Sequence, residues 1–244
     1  MYQQPFDQEF TDEHLVKKLD GFDNGYADVN GITLHYVSGG NGAPLLLLPG
    51  WPQTWWAYHK IMPGLSKHFQ VIAVDIRGMG RSGRPADGYE KKNMASDIAR
   101  LIEILNLQKI NIAGHDIGAQ VAFSFAANYP EQTIKLAILD TPHPDETLFQ
   151  VPMMPVPGHP FPWWLAFNQV ADLPEQLLAG KMQFLQGHVF EAMAADPAAI
   201  SAFDRHVYAA AYESAESVRA GTPGTKLFRR MSSILRPAKS SKCR

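Results

Sequence analysis

The chain has 244 residues, of which 45% are hydrophobic and 19% are charged, and its formal net charge at pH 7 is −2. These values are typical of a globular protein with one sizeable core and room for an inserted subdomain. No run of about 18 apolar residues occurs, so no membrane-spanning segment is expected. The polar N-terminus has no signal-peptide pattern and Cys243 is the single cysteine. We therefore expect a cytoplasmic protein without an intramolecular disulfide.

The first regular feature predicted from the sequence is a β-hairpin that follows a polar lead-in. Residues 1–25 are polar and are predicted to form a loose helical segment. Residues 26–29 and 32–37 are β-prone and flank the dipeptide Asn30-Gly31. Because Asn-Gly suits the positive φ angles of a type I′ turn, we predict that these two segments pair.

Strands and helices then alternate as far as residue 139. Residues 45–48, 71–76 and 134–139 are mostly apolar, which is typical of strands buried on both faces. Two helices are predicted between them, at 54–69 and 93–107. The alternation predicts an α/β fold with a mostly parallel sheet. The predicted inward-facing residues are Trp56, His59, Ile61 and Leu65 in the first helix, and Met94, Ile98, Leu101, Ile102 and Leu105 in the second.

The stretch 109–128 carries the strongest functional signal. A mostly apolar run leads into Gly114-His115-Asp116-Ile117-Gly118, and a helix of small residues follows. Strand, tight Gly-x-nucleophile-x-Gly turn and helix are the parts of a nucleophile elbow. We expect a strained backbone at its centre, with flanking glycines for that reason. The central residue is Asp116, and a carboxylate nucleophile attacks carbon to form an ester that a second step must hydrolyse.

Other polar motifs stand at the ends of the predicted strands. Pro49-Gly50-Trp51-Pro52 follows the strand at 45–48, Arg77 follows the strand at 71–76, and Asp140 follows the strand at 134–139. Sites in parallel sheets lie at the carboxyl ends of the strands. These residues are therefore expected to share one edge of the sheet with Asp116.

These motifs resemble those of the α/β-hydrolase superfamily, most closely epoxide hydrolases, with haloalkane dehalogenases next. The oxyanion motif His-Gly-aromatic-Pro appears at 49–52, the motif Asp-x-Arg-Gly-x-Gly-x-Ser at 75–82, and the elbow at 114–118. The resemblance covers about residues 25–222 and includes a cap-like segment at 163–177. It implies an α/β-hydrolase fold with a helical cap and a small apolar substrate such as an epoxide. No cofactor, metal, nucleic acid or membrane is expected as a partner.

The resemblance also implies roles for individual residues. Asp116 would open the epoxide, and the backbone N–H groups of Trp51 and Ile117 would form the oxyanion hole by position. Tyr208 looks like one of two cap tyrosines that protonate the epoxide oxygen, and Tyr212 is the weaker candidate. Packing within an amphipathic helix explains either tyrosine about equally well.

Other positions match the family less closely. Trp163 stands where the second tyrosine is expected, which leaves that role unfilled. Asp140 is similar in position to the acid that orients the base histidine, although a turn residue is an equally good interpretation. His115 precedes the nucleophile and is expected to point away from the site, so it is not predicted to be the base. Pro49 replaces the usual histidine of the oxyanion loop.

Ile117 also departs from the family pattern, since it replaces the tryptophan common in epoxide hydrolases and dehalogenases. The same position carries an arginine in the fluoroacetate-type enzymes. The isoleucine therefore argues against a halide-binding tryptophan at this place and against a small carboxylate substrate.

The resemblance stops where the base is expected. In the α/β-hydrolase order the base histidine follows two further strands, but the last histidine here, His206, lies in the cap pattern. Residues 223–244 carry seven Lys or Arg and no acid. Synonymous codons can be chosen for residues 223–244 so that a shifted reading frame encodes WYQAFSQDVIDIETCQKLKMP. That peptide is similar to the segment that follows the cap in the family. We interpret this tail as the product of a frameshift, or of a mispredicted splice junction, near Pro223. The alternative is a genuine short isoform with a basic tail.

The sequence thus predicts an incomplete α/β-hydrolase core at 1–141, a helical cap at 142–222 and a non-family basic tail at 223–244. The fold would lack the last strands and the C-terminal helix, so the strand at 134–139 becomes an apolar edge that promotes aggregation. Three functional interpretations stay open. They are an epoxide hydrolase, a haloalkane dehalogenase-like hydrolase, and a non-catalytic form that has a nucleophile without an identifiable base.

Overall fold

A computed structural model of the chain describes residues 8–141, 157 and 163–222. Its six strands form one sheet with the order β1-β2-β4-β3-β5-β6. The hairpin β1–β2 and the pair β2–β4 are antiparallel, and the other pairs are parallel. The prediction of a mostly parallel sheet is confirmed. The strands are β1 (Phe22–Val29), β2 (Ile32–Gly39), β3 (Ala43–Leu48), β4 (Phe69–Val74), β5 (Ile110–His115) and β6 (Thr133–Leu139).

The described residues also form α-helices, none of which is long and apolar enough to cross a membrane. The predicted irregular segment 142–162, apart from Pro157, and the basic tail 223–244 lie outside the described residues. The helices are α1 (Asp12–Leu15), α2 (Met62–Leu65), α3 (Lys91–Ile104), α4 (Ile117–Asn128), α5 (Trp163–Phe167), α6 (Leu173–Leu178), α7 (Met182–Met193), α8 (Ala202–Ala211) and α9 (Ala215–Gly221).

The predicted hairpin is confirmed. Asn30 and Gly31 have φ angles of 43° and 80°, which are the two positive values that a type I′ turn requires. The lead-in is shorter than predicted, because β1 begins at Phe22. Helical turns between residues 8 and 18 precede it.

The core lies on both faces of the sheet, because successive residues of the central strands point to opposite sides. Leu46 and Leu48 belong to the cluster under α3 and α4, whereas Leu47 belongs to the cluster on the other face. In β4, Ile72 belongs to the cluster under α3 and α4, and Val71 belongs to the cluster on the other face. Each fully buried aliphatic side chain contributes about 2 kcal/mol, so uninterrupted apolar strands stabilise both layers.

The long helix predicted at 54–69 is wrong. The segment forms a 3₁₀ helix at Trp55–Tyr58 and the single turn α2, and Phe69 already belongs to β4. Pro63 stands in the first turn of α2, and its missing N–H prevents a helix from continuing through this point. The break turns Ile61 outward, with 52% of its surface exposed, whereas its neighbour Met62 is fully buried.

The helices from α5 to α9 contact the core around the loop after β3. Gln186 Nε2 on α7 donates to the Pro52 carbonyl at 3.0 Å, and the Tyr212 hydroxyl donates to the Gln53 carbonyl at 2.9 Å. Trp56 Nε1 donates to Asp204 Oδ1 on α8 at 2.8 Å. These bonds hold the helical region against the end of the sheet where the predicted site lies.

Two helices in this region begin with recognisable sequence signals. α6 begins at Leu173 with Pro174 in its first turn, where a helix does not need the N–H that proline lacks. α8 runs from Ala202 to Ala211. A capping box between Ser201 and Asp204 satisfies backbone N–H groups of its first turn.

Asp75, the first residue of the motif at 75–82, anchors a buried polar cluster. Its carboxylate accepts from the Trp55 N–H at 2.8 Å and lies 2.8 Å from His35 Nδ1. His35 Nε2 lies 2.9 Å from Asn24 Oδ1, so both ring nitrogens face oxygen acceptors, which favours the protonated imidazole. Burial lowers the pKa of His35, but Asp75 and the nearby Asp12 outweigh it and raise that pKa above its ordinary value.

We predict that His35 makes the free energy of unfolding depend on pH above neutrality. A histidine pKa that is raised by folding stabilises the protein below the unfolded pKa of about 6.5. That contribution is lost as the pH rises through the folded pKa. His35→Gln should lower stability by about 1–2 kcal/mol at pH 6 and by less at pH 9, measured by urea unfolding. His68→Gln, at an exposed position, is the control; equal losses at both pH values would contradict the prediction.

Candidate active site

The predicted elbow is present between β5 and α4. β5 ends at His115 and α4 begins at Ile117, so Asp116 occupies the turn between them. Asp116 has φ 49° and ψ −120°, a backbone conformation that L-residues with side chains rarely adopt. Strained backbone of this kind persists only where the surrounding structure imposes it, and it is concentrated at functional sites.

The glycines on either side serve close packing rather than an unusual φ angle. A Cβ on Gly114 would lie 2.3 Å from the Gly118 carbonyl oxygen, and a Cβ on Gly118 would lie 2.2 Å from the Leu48 carbonyl oxygen. Neither glycine has a positive φ, so our reason for the flanking glycines was wrong. They allow β5, α4 and the end of β3 to approach closely, and the strain itself resides on Asp116.

The loop after β3 brings a backbone donor to the Asp116 carboxylate. The Trp51 N–H donates to Asp116 Oδ2 at 3.0 Å, and the Ile117 N–H also hydrogen-bonds to this carboxylate. Gly50 makes the approach possible, since a Cβ there would lie 2.7 Å from Asp116 Cβ. The two donors that the sequence assigned by position therefore converge on one carboxylate at the end of the sheet.

The electrostatic surroundings of Asp116 include one residue that sequence reasoning missed. Burial raises the pKa of Asp116. Four smaller effects oppose that rise: the hydrogen bond from Ile117, the charge of His115, the hydrogen bond from Trp51 and the charge of Lys91. Burial lowers the pKa of Lys91 to about 8, and the charge of Asp116 opposes this. Lys91 opens α3. Nothing in its sequence context distinguishes it from Lys92, so only the fold identifies it.

Asp140 and His115 lie side by side near Asp116. His115 Nε2 is 3.9 Å from Asp140 Oδ2, with 35% of the His115 side chain and 88% of the Asp140 side chain exposed. Asp140 has φ 53° immediately after β6. Both residues lie at the sheet edge that carries Asp116, as expected for Asp140. The Asp140 carboxylate is open to solvent, so it is accessible to a further group.

The two tyrosines predicted for the cap lie in different apolar clusters. Tyr208 packs against Phe190, with ring centroids 5.9 Å apart, in the cluster that does not contain Trp51. Tyr212 is fully buried in the same cluster as Trp51 and Ile117. Burial raises the pKa of Tyr212 well above its ordinary value, and the charges of Asp75 and, less strongly, Asp116 add to that effect. The Tyr212 side chain thus shares a cluster with Trp51 and Ile117, while its hydroxyl donates to the Gln53 carbonyl.

Trp163, which occupies the position aligned with the second tyrosine, is half-buried at the start of α5. Its ring contacts Trp164 at 6.3 Å and His188 at 5.9 Å between centroids. An indole has no acidic hydroxyl, so this position supplies packing rather than a proton.

The fold and the elbow have clear counterparts among known proteins. A family model described as alpha/beta hydrolase fold matches residues 43–226. The chain belongs to the alpha/beta hydrolase fold family. Within that family it is similar to a soluble epoxide hydrolase of Corynebacterium sp. (strain C12), with 44% identity over 47% of this chain and 40% of that protein. A fluoroacetate dehalogenase of Burkholderia sp is 30% identical over 70% of this chain and 58% of that protein.

Solved structures agree with this assignment. The structure described as Cfl2 wild-type from Burkholderia cenocepacia matches with a TM-score of 0.80 and 37% identity. The match covers 88% of this chain and 74% of that one. The chain thus spans about half the length of the first curated relatives, and about three quarters of this solved relative. Within the family its sequence is similar both to an epoxide hydrolase and to a dehalogenase.

A buried group of possible metal ligands lies apart from the elbow. Ligand atoms of Asp12, His35 and Asp75 lie within 4.8 Å of one another. They are already engaged, because His35 and Asp75 bond to each other while Asp12 accepts from the Trp55 indole and from Arg81. The group is a hydrogen-bonded ion cluster that fixes the loop after β4.

We predict that Lys91→Met raises the pKa of Asp116 further. The substitution removes a positive charge that favours the ionised carboxylate, so the neutral form becomes easier to populate. The titration of Asp116 can be followed by ¹³C NMR of labelled aspartate side chains. Lys92→Met is the matched control, since Lys92 is adjacent but exposed and should leave the titration unchanged. An unshifted Asp116 titration in Lys91→Met would contradict the electrostatic assignment.

Proposed function

We propose that Asp116 is the nucleophile of an epoxide-opening reaction on a small apolar substrate. The observation that carries this proposal is the bond from the Trp51 N–H to Asp116 Oδ2, at a residue with positive φ. An ester of Asp116 would keep Oδ2 as its carbonyl oxygen, still facing Trp51 and Ile117. The other carboxylate oxygen would be the attacking atom. The similarity to the Corynebacterium epoxide hydrolase supports the choice of substrate class.

The first chemical step forms one bond and breaks another. The carboxylate oxygen attacks a ring carbon, the bond between that same carbon and the epoxide oxygen breaks, and the released oxygen takes a proton from a tyrosine hydroxyl. The product is a hydroxyalkyl ester of Asp116. Resemblance favours Tyr208 as the proton donor, whereas the packing of Tyr212 in the cluster of Trp51 and Ile117 favours Tyr212. We retain both and distinguish them by substitution.

The second step requires a base. Water must attack the ester carbonyl carbon, and the oxyanion that develops on the carbonyl oxygen would be stabilised by the Trp51 and Ile117 N–H groups. In the parent enzyme Asp140 would orient a histidine base, but no histidine follows His206 in these 244 residues. We therefore propose that this 244-residue chain forms the ester and retains it, and that the parent activity is epoxide hydrolysis.

We predict that exposure to styrene oxide adds the mass of one epoxide to the chain, measured by intact-mass spectrometry. Asp116→Asn should abolish the adduct, because an amide is a far weaker nucleophile than a carboxylate. Asp140→Asn is the matched control at the same sheet edge and should still form it. An equal adduct on Asp116→Asn would refute the nucleophile, and many turnovers by the unaltered chain would refute the proposal that the ester persists.

We predict that replacing the proton-donating tyrosine slows adduct formation by about 10²-fold, which is typical of losing a general acid. Tyr208→Phe and Tyr212→Phe should be compared under identical conditions, with far-UV and near-UV circular dichroism to verify folding. One variant is expected to be slow and the other close to unaltered. If both react at the unaltered rate, neither tyrosine is the acid.

A haloalkane dehalogenase-like reaction is the second candidate, because the similar Burkholderia protein is named a fluoroacetate dehalogenase. The same carboxylate would displace halide from carbon. Ile117 lacks the N–H of a tryptophan side chain that could bind the departing ion. Halide release from 1-bromobutane, without adduct formation from styrene oxide, would favour this reaction instead.

A further inference from the structure

The loop after β3 contains a tight turn whose peptide units are linked to each other. The Gln53 N–H donates to the Gly50 carbonyl at 2.9 Å, which closes a four-residue turn. The Gly50 carbonyl and the Trp51 N–H belong to one planar peptide unit, and the Pro52 carbonyl and the Gln53 N–H belong to another. Because each unit is rigid, a contact that fixes one end of it also fixes the other end.

This turn connects α7 to the Asp116 carboxylate through a continuous chain of hydrogen bonds. At the outer end, Gln186 Nε2 donates to the Pro52 carbonyl at 3.0 Å. At the inner end, the Trp51 N–H donates to Asp116 Oδ2 at 3.0 Å. The bond that closes the turn joins these two ends, and in all three bonds the donor lies on the α7 side. Hydrogen bonds aligned in this way polarise one another, so the outermost donor strengthens the innermost bond.

Gln186 is a polar side chain in an apolar place. It is fully buried, and its helix neighbours Leu185 and Val189 belong to the core cluster. Its Oε1 atom has no hydrogen-bond partner within the part of the chain that the structure describes. A buried acceptor without a partner destabilises a fold, so an apolar residue would suit the packing better. The feature that distinguishes the glutamine is the N–H that it donates to Pro52.

The turn has few other polar anchors on the side of the helices. The Trp51 indole nitrogen is buried without a hydrogen-bond partner among residues 8–141 and 163–222, so packing alone holds that ring. The Tyr212 hydroxyl donates to the Gln53 carbonyl at 2.9 Å. That carbonyl belongs to the next peptide unit, outside the chain of three bonds. Gln186 is therefore the side chain that acts on the Trp51 N–H through the turn.

We propose that Gln186 is a positioning residue for the Asp116 carboxylate. By donating to the Pro52 carbonyl, it fixes and polarises the two peptide units that present the Trp51 N–H to Oδ2. The side chain does not touch the carboxylate and acts only through the turn. This inference rests on the proposed function for its effect on reaction rate, whereas its effect on the carboxylate itself needs no substrate.

The test replaces Gln186 with methionine, which is of similar size and has no N–H to donate. Gln186→Met should raise the pKa of Asp116 by about half a unit, because the ionised carboxylate is bound less well. This shift is measured by ¹³C NMR titration of the chain labelled at aspartate Cγ. The Trp51 amide proton should move upfield in ¹⁵N-labelled chain, and adduct formation from styrene oxide should slow by about 10-fold.

Gln183→Met is the matched control, since it makes the same substitution at an exposed position of the same helix. It should change neither the titration of Asp116, nor the Trp51 amide proton, nor the rate of adduct formation. Thermal unfolding and near-UV circular dichroism verify that both variants fold.

Gln186→Glu tests the donated hydrogen at nearly constant size. A neutral carboxyl can donate its O–H to the Pro52 carbonyl, but a carboxylate cannot donate. Compared with the unaltered chain at the same pH, the Trp51 amide proton should match at low pH. It should move upfield as the introduced carboxyl ionises. A match at every pH would overturn the proposal.

Two further outcomes count against the proposal. It is overturned if folded Gln186→Met leaves the Asp116 titration and the Trp51 amide proton unchanged. It is also overturned if Gln183→Met shifts them equally. If the unaltered chain forms no adduct, the proposed nucleophile is refuted, while the two NMR measurements still decide the role of Gln186.

Discussion

The candidate site depends on one constraint, the close approach of three backbones around Asp116. The end of β3, the end of β5 and the start of α4 meet so tightly that Gly114 and Gly118 leave no space for a Cβ. This packing holds Asp116 at φ 49° and places its carboxylate 3.0 Å from the Trp51 N–H. The strain at one residue is thus maintained by apolar strands whose burial is far more favourable than the strain is costly.

The same arrangement limits the effect of burial on the Asp116 carboxyl. Burial raises the pKa of Asp116, and the contacts that oppose this rise without cancelling it are the Ile117 hydrogen bond, the charge of His115, the Trp51 hydrogen bond and the charge of Lys91. A carboxylate with few competing water molecules is a stronger nucleophile than one that is fully hydrated. The helical region completes the surroundings, since Tyr212 and Gly221 pack beside Trp51. The loop after β3 is therefore shared between the core and the helices above it.

The sequence predicted much of the fold because its signals were local. Asn30-Gly31 specifies its turn, apolar runs specify the parallel strands, and the elbow motif specifies the sharp turn at Asp116 between β5 and α4. The prediction of one long helix at residues 54–69 failed, because the helical pattern of apolar residues there concealed the break at Pro63. The helix predicted at 93–107 ends earlier, at Ile104, although Leu105 still packs against the core as predicted.

Long-range contacts explain what the sequence did not reveal. Lys91 becomes relevant only because the start of α3 lies near the end of β5. Tyr208 and Tyr212 are one helical turn apart, but only the packed structure separates them into different clusters. In the sequence His35 is a single polar residue within a predicted strand. Its partners Asp12 and Asp75 are distant in sequence, so their contact with it could not be predicted. The divisions proposed at residues 141 and 222, and the origin of the tail, stay predictions.

The central claim is that the carboxylate of Asp116 reacts with the substrate. The most direct measurement is ¹³C NMR of the chain labelled at aspartate Cγ, before and after addition of styrene oxide. One aspartate resonance should move to the position of an ester and cease to titrate, and this resonance should be missing in Asp116→Asn. If every aspartate resonance continues to titrate after the epoxide is added, or if the esterified resonance persists in Asp116→Asn, the account is contradicted.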